Sequence, residues 1–331
     1  MNMLKKTVLI CALLAAVACN RVADAGAGEP QARPFALPEI PFVIQDVEGR
    51  VAYMCEHFWD NLSPQDTVLL RNDAQFEEFF AMYLSMLGQQ PPAVAARSVT
   101  AFLGKMGGND EWHGLVQHMA AKYLYHVESP MLDEERYIPF ARYALGRPGI
   151  SISDSVLYTH RLEVACKNRP GSVANDFGFV TSGGKQSTLH AEIDRLTLLF
   201  FNDPECENCA AAKQMLAGNA LLKELVENGT LKVVLVYTEG DADVWKNYKN
   251  DHPSGWLSVF DAGETVRMRR IYELRAMPSL YLINKDKEVV LKDVTADVLL
   301  QYLAPMGLCN SPSLRGSTAL AGRELYVHSR I

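Results

Sequence analysis

The chain has 331 residues, of which 48% are hydrophobic and 21% charged, the balance of a folded globular protein long enough for more than one domain. Its 32 basic residues are outnumbered by 39 acidic ones, for a formal charge of −7. That excludes a general nucleic-acid binder, because no basic surplus exists to displace phosphate counterions.

Lys5 and Lys6 precede "TVLICALLAAVA", an apolar run too short to span a bilayer comfortably, and Cys19 follows it. A charged start and a short apolar run make a signal peptide over residues 1–18. The segment "AVAC", Ala16 to Cys19, resembles a bacterial lipobox, although Ala16 stands where leucine is usual. The resemblance implies cleavage before Cys19 and lipidation of that cysteine. A plain secretory cut at the A-x-A-like Ala16-Val17-Ala18 is the alternative. Both routes carry the mature chain out of the cytoplasm. The expected location is the cell envelope, lipid-anchored, facing the periplasm or in the outer membrane. Loss of Lys5 and Lys6 takes the formal charge from −7 to −9. With Cys11 removed and Cys19 lipidated, Cys55, Cys166, Cys206, Cys209 and Cys309 remain, too few for a disulfide framework in a chain of this length.

Residues 19–41 are rich in Ala, Gly and Pro without a sustained period and are expected to be a tether. Over 42–166 the apolar spacing is helical. Val47, Val51, Met54, Cys55, Phe58 and Trp59 form the first stripe, and Phe76, Phe79, Phe80, Tyr83, Leu84 and Leu87 the second, after Asn72-Asp73 as its cap. Pro91-Pro92 opens a third that ends at Gly107-Gly108, and Trp112, Leu115, Val116, Met119 and Tyr123 form a fourth. "DEERYIPFARYAL" and "SDSVLYTHRLEVACK" complete six amphipathic helices, a small all-α domain. Phe58, Trp59, Phe79, Phe80 and Trp112 are expected to be its core, and Cys55 and Cys166, on apolar stripes, to be buried structural thiols.

From about 167 the grammar changes. Short β-like pieces lie in 168–190. "LTLLFF" (196–201) and "LKVVLVY" (231–237) are continuous apolar runs suited to buried strands. A helix opened by cysteines follows the first run. "DADVWKNYKN" is expected to be a helix, "WLSVF" a strand and "ETVRMRRIYEL" another helix. "SLYLINKDKEVVLKD" (279–293) predicts two strands around a turn, and "DVLLQYLAPM" a closing helix. The expected fold over 167–309 is an α/β sandwich with a mixed sheet, followed by a flexible tail over 310–331.

The chemistry gathers in "NDPECENC", where Cys206 and Cys209 are separated by two residues. A C-x-x-C within an α/β pattern is a redox motif of the thioredoxin kind. The first thiol must sit at a helix N-terminus, where free amides and the macrodipole stabilise a thiolate. The motif must also follow a buried strand, which "LTLLFF" supplies. A zinc site would need two more ligands, and no second C-x-x-C or C-x-x-H exists; His190 and His252 are isolated. No metal and no cofactor are therefore expected.

Residues 168–306 resemble a thioredoxin-like domain of the TlpA/AhpC-TSA-related type. The features that carry the likeness are "PGSVANDF" (170–177), "GGK…L" (183–189), the strand, the CENC motif and the proline in "RAMPSLYLI". The block before it, with "FWDN", "KYLYHVESPM", "YIPF" and "LEVACKNRPG", resembles a domain of unknown function found in Bacteroidetes lipoproteins. The resemblance implies thiol-disulfide exchange in the envelope. In such an enzyme Cys206 attacks and Cys209 resolves, Pro278 is a cis-proline facing the dithiol, and the Met277 backbone pairs with an extended substrate. The implied partners are protein thiols and disulfides and an envelope reductant. This chain departs from the family pattern at three places. Glu205 replaces the usual Trp before the first cysteine, Phe200 replaces a buried acid on the strand, and Glu207-Asn208 separate the cysteines. Asp203, Glu205 and Glu207 bring negative charge to the site, which opposes a thiolate and predicts a more reducing couple than that of strongly oxidising relatives. A peroxidase is disfavoured, since Asp203 occupies the position of the threonine that peroxiredoxins need. A redox-inactive scaffold, using the helical domain as an interaction surface, is the alternative that the departures favour.

Overall fold

The computed structural model describes residues 35–63, 67–70 and 72–309. The expected signal segment, Cys19, most of the expected tether and the expected tail over 310–331 lie outside these residues. In chain order the helical half contains α1 (Val47–His57), α2 (Thr67–Leu70), α3 (Asp73–Leu87), α4 (Pro92–Lys105), α5 (Asp110–Leu124), α6 (Glu134–Leu145) and α7 (Ile152–Cys166). Polar side chains start most of the long helices. Asp46 accepts from the Gly49 amide at 2.6 Å, Asn72 from Gln75 at 3.2 Å, Asn109 from Trp112 at 3.1 Å and Ser151 from Asp154 at 3.0 Å. Pro92 opens α4, where a missing amide costs nothing.

The core of this half is aromatic. Trp59 stacks on Phe102 with ring centroids 4.4 Å apart, Phe76 meets Trp112 edge-on at 5.4 Å and Phe80 meets Phe140 at 5.9 Å. A polar link ties three helices together: the Tyr83 and Ser98 hydroxyls are 2.8 Å apart, and Ser98 donates to the Cys55 carbonyl at 2.6 Å. Cys55 is buried, and its thiol is pushed up to about 11 by burial. Two expectations need correction. Phe79 is only half-buried; Phe76, three residues earlier on α3, is fully buried instead. Cys166 is exposed, because Val164 and Ala165 hold the buried positions in the last turn of α7.

The second half contains β1 (Gly178–Thr181), β2 (Gln186–Thr188), α8 (Leu189–Glu192), β3 (Leu196–Phe201), α9 (Glu207–Gly218), α10 (Ala220–Glu227), β4 (Leu231–Tyr237), α11 (Ala242–Tyr248), β5 (Trp256–Phe260), α12 (Thr265–Met268), β6 (Ser279–Ile283), β7 (Val289–Val294) and α13 (Ala296–Cys309). The strands form one seven-stranded sheet in the order β2-β1-β5-β4-β3-β6-β7. β3, β4 and β5 run parallel, while β6 runs antiparallel to β3. The apolar runs of β3 and β4 are buried on both faces. Leu199 and Phe201 enter one core layer, and Leu198 and Phe200 the other.

Three elements differ from the sequence expectation. The helix behind the cysteines is two helices, divided at Asn219, whose side chain accepts from the Leu222 amide at 3.0 Å and so starts α10. "ETVRMRRIYEL" is helical only over α12. Arg270 takes a left-handed φ of 48°, and Tyr272 turns into the core, where its hydroxyl donates to the Asn175 carbonyl at 2.8 Å. The closing helix expected over "DVLLQYLAPM" runs on for three residues, to Cys309. Among the described residues, no helix is long and apolar enough to cross a membrane.

Candidate functional site

The register of the central strands builds the site. β3 ends at Phe201, which lies opposite Ser279, the first residue of β6. The loop Asn202–Cys206 leaves one strand at the place where Pro278 enters the other. The Met277–Pro278 peptide is cis.

Cys206 is the N-cap of α9. Its Sγ accepts from the Cys209 amide at 3.2 Å, so the sulfur lies in the field of free amides at the helix start. The Cys206 thiol also donates to the Met277 carbonyl at 3.7 Å. Both sequence-predicted cysteines and the predicted substrate-pairing edge therefore meet at one point. Cys206 is half-buried and open to a partner, whereas Cys209 is buried. Burial first, then the neighbouring Cys206 sulfur, pushes the Cys209 thiol up to about 12, against an opposing backbone amide at Asp203. The two thiols thus differ in the sense that exchange requires: one accessible to attack, one shielded until it is needed.

The three acidic residues do not act alike. Asp203 is half-buried, and its Oδ1 accepts from the Glu205 amide at 2.9 Å, which shapes the loop. Glu205 and Glu207 are exposed and add negative charge at the surface beside Cys206. Phe200 packs in the apolar layer beneath the sheet.

One neighbouring network was not read from sequence. Asn202, buried at the start of the loop, donates to the Val236 carbonyl at 3.2 Å and accepts from the Tyr248 hydroxyl at 2.7 Å. Lys213 donates to that hydroxyl at 3.1 Å and to Asp251 at 2.7 Å. The signal available in sequence was Lys213, four residues after Cys209 on the same helical face. His190 and His252 bond to backbone carbonyls, of Ala174 at 2.7 Å and Pro253 at 3.0 Å. Among the described residues, no group of three His, Cys, Asp or Glu side chains could hold a metal ion. A separate cleft of about 530 Å³ lies among α5, α6 and α7 and shares no lining residue with the dithiol.

Residues 14–168 match the family described as a domain of unknown function (DUF5106), and residues 194–289 match the family described as thioredoxin-like. The chain is 30% identical to a thioredoxin-like protein from Bacteroides caccae, with a TM-score of 0.78 over 83% of this chain and 99% of that one. The chain belongs to this thioredoxin-like family. This family member is also similar, at 35% identity, to the C-terminal domain of an uncharacterized protein from Bacteroides fragilis, covering 42% of this chain and 99% of that one at a TM-score of 0.41. The thioredoxin domain of a thiol-disulfide oxidoreductase from Bacteroides vulgatus is 19% identical, covering 42% of this chain and 97% of that one at a TM-score of 0.36. No curated protein matches the chain.

Proposed function

We propose that this thioredoxin-like protein is a thiol-disulfide oxidoreductase of the cell envelope that reduces or exchanges protein disulfides through Cys206 and Cys209. The observation that carries the proposal is the position of Cys206 Sγ, which caps α9 and lies 3.7 Å from the Met277 carbonyl beside cis-Pro278. A nucleophile and the edge that would hold its substrate share one place. The Met277 backbone would pair with an extended segment of the substrate, as in other strand-addition complexes.

The exchange proceeds in two displacements. The Cys206 thiolate attacks one sulfur of the substrate disulfide. A Cys206–substrate S–S bond forms, the substrate's own S–S bond breaks, and the first substrate thiol leaves with a proton. Cys209 then gives up its proton and attacks the Cys206 sulfur, releasing the second substrate thiol. The substrate has gained two electrons, and the protein holds a Cys206–Cys209 disulfide. An envelope dithiol reductant recharges it by the reverse sequence. We assign the chain to the envelope, anchored by lipid at Cys19, on the strength of the charged and apolar N-terminal run and the lipobox-like "AVAC".

The test is reduction of insulin disulfides by the protein in the presence of a dithiol, beside a Cys206→Ser control. Turnover that the substitution abolishes is expected. A stable, reducible 206–209 disulfide without turnover would favour the scaffold alternative, which the apolar Phe200 and the absent Trp at Glu205 support.

A further inference from the structure

The loop that presents Met277 and Pro278 is held from the helical domain. Glu134, at the first turn of α6, is buried, and its two carboxylate oxygens point in different directions. Oε1 accepts from Arg275 at 2.7 Å, and Oε2 forms an ion pair with the Lys292 ammonium at 2.7 Å. Arg275 precedes Met277 by two residues. Its guanidinium also donates to the Tyr125 carbonyl at 3.0 Å and lies 4.6 Å from the centre of the Tyr125 ring. On the other side of the same peptide, Ser279 follows Pro278 and donates to Asp293 Oδ1 at 2.7 Å, while Asp293 Oδ2 is 3.6 Å from Arg275. The residues that flank the cis peptide are therefore pinned to a single cluster.

The backbone is shaped to make that cluster. β7 is an edge strand, and its register against β6 shifts between Leu280 and Leu282, so that an extra residue is taken up near Lys292 and Asp293. Asp293 adopts a left-handed φ of 49°, a conformation that aspartate tolerates better than most non-glycine residues. The bulge brings consecutive residues to one cluster. Asp293 meets Ser279 and Arg275, and Lys292 donates at 3.0 Å to the Val164 and Ala165 carbonyls at the end of α7. Two carboxylates and two cations balance one another there. Arg275, in the substrate-pairing loop, is shared by both carboxylates: Asp293 approaches it from β7 at 3.6 Å, and Glu134 accepts its hydrogen bond from the helical domain at 2.7 Å.

Resting on the oxidoreductase function above, we propose that Glu134 is a positioning residue for thiol exchange: from the helical domain, through Arg275, it fixes the Met277–Pro278 edge on which an extended protein substrate pairs. The partner that reads this edge is a polypeptide; a small disulfide that reacts at Cys206 without strand pairing does not need it.

The experiment compares wild type, Glu134→Gln and Lys292→Met in the full-length protein. Each is assayed with a disulfide-containing peptide and with the small aromatic disulfide DTNB, and the potential of the Cys206–Cys209 couple is measured in each. E134Q is expected to raise KM for the peptide on the order of tenfold while kcat, the DTNB rate and the potential stay at wild-type values. K292M loosens the same cluster without touching the loop and is expected to keep the wild-type KM. Should E134Q fail to fold, Arg275→Lys carries the same expectation, since an ammonium cannot reproduce the guanidinium's fork. A wild-type KM in E134Q, an equal rise in K292M, or a change in the DTNB rate or potential would overturn the positioning role while leaving the oxidoreductase function intact. A wild-type protein that reduces neither substrate would remove both.

Discussion

At the residue scale, the asymmetry between the two thiols determines how the reaction should respond to pH. Cys209 must lose its proton before it can resolve a mixed disulfide, and burial holds that thiol up at about 12. The direction follows from the sign: the group is protonated throughout the neutral range, so its reactive form grows as pH rises toward that value. The rate at which a preformed Cys206 mixed disulfide is resolved should therefore climb about tenfold per unit between pH 7 and pH 9. Stopped-flow measurement of product thiol release reads this directly. A flat profile would mean that a neighbouring base takes the proton. The cysteines and Pro278 were legible in the sequence because the spacing of a C-x-x-C and the position of a proline before an apolar run are local features. Cys166 was misread because an apolar stripe gives the buried face of a helix only approximately, and at the last turn one position decides between core and solvent.

At the element scale, β3 carries the site. It is buried on both faces, pairs with β4 on one side and β6 on the other, and delivers the dithiol loop at its end. Leu199 is fully buried and lies between Val234 and Tyr281 in the ladder. Leu199→Ala should lower stability by about 2–5 kcal/mol, since the transfer loss and an unfilled cavity add. Urea denaturation followed by tryptophan fluorescence would give the value; a loss under about 1 kcal/mol would show that the strand is not the rigid support described. The strand boundaries were readable because "LTLLFF" and "LKVVLVY" are unbroken apolar runs. The helix expected over "ETVRMRRIYEL" was not, because its apolar residues are spaced as in a helix while Tyr272 is claimed by the sheet's core. A local period cannot report that competition.

At the scale of the whole molecule, the two halves meet through charged groups and the hydrogen bonds they make. The Arg275–Glu134 pair joins positions 141 residues apart, so no sequence window could have revealed it. The same holds for Lys292, which closes the end of a helix 127 and 128 residues earlier. Both are legible only after folding; the first reaches the loop that carries Met277 and Pro278, the second the edge strand β7. The acidic character of the chain was legible at once and bears on the chemistry. Glu205 and Glu207 stand exposed next to Cys206 in the chain, so the potential of the couple is where their charge should register.

The reduction potential of the Cys206–Cys209 couple, measured by equilibration of the purified protein with a dithiol redox buffer, decides whether these two thiols work as a reducing pair. A reversible two-electron couple more negative than about −200 mV is the expected result. A couple as oxidising as about −120 mV, or the absence of any intramolecular disulfide between the two residues, would contradict it.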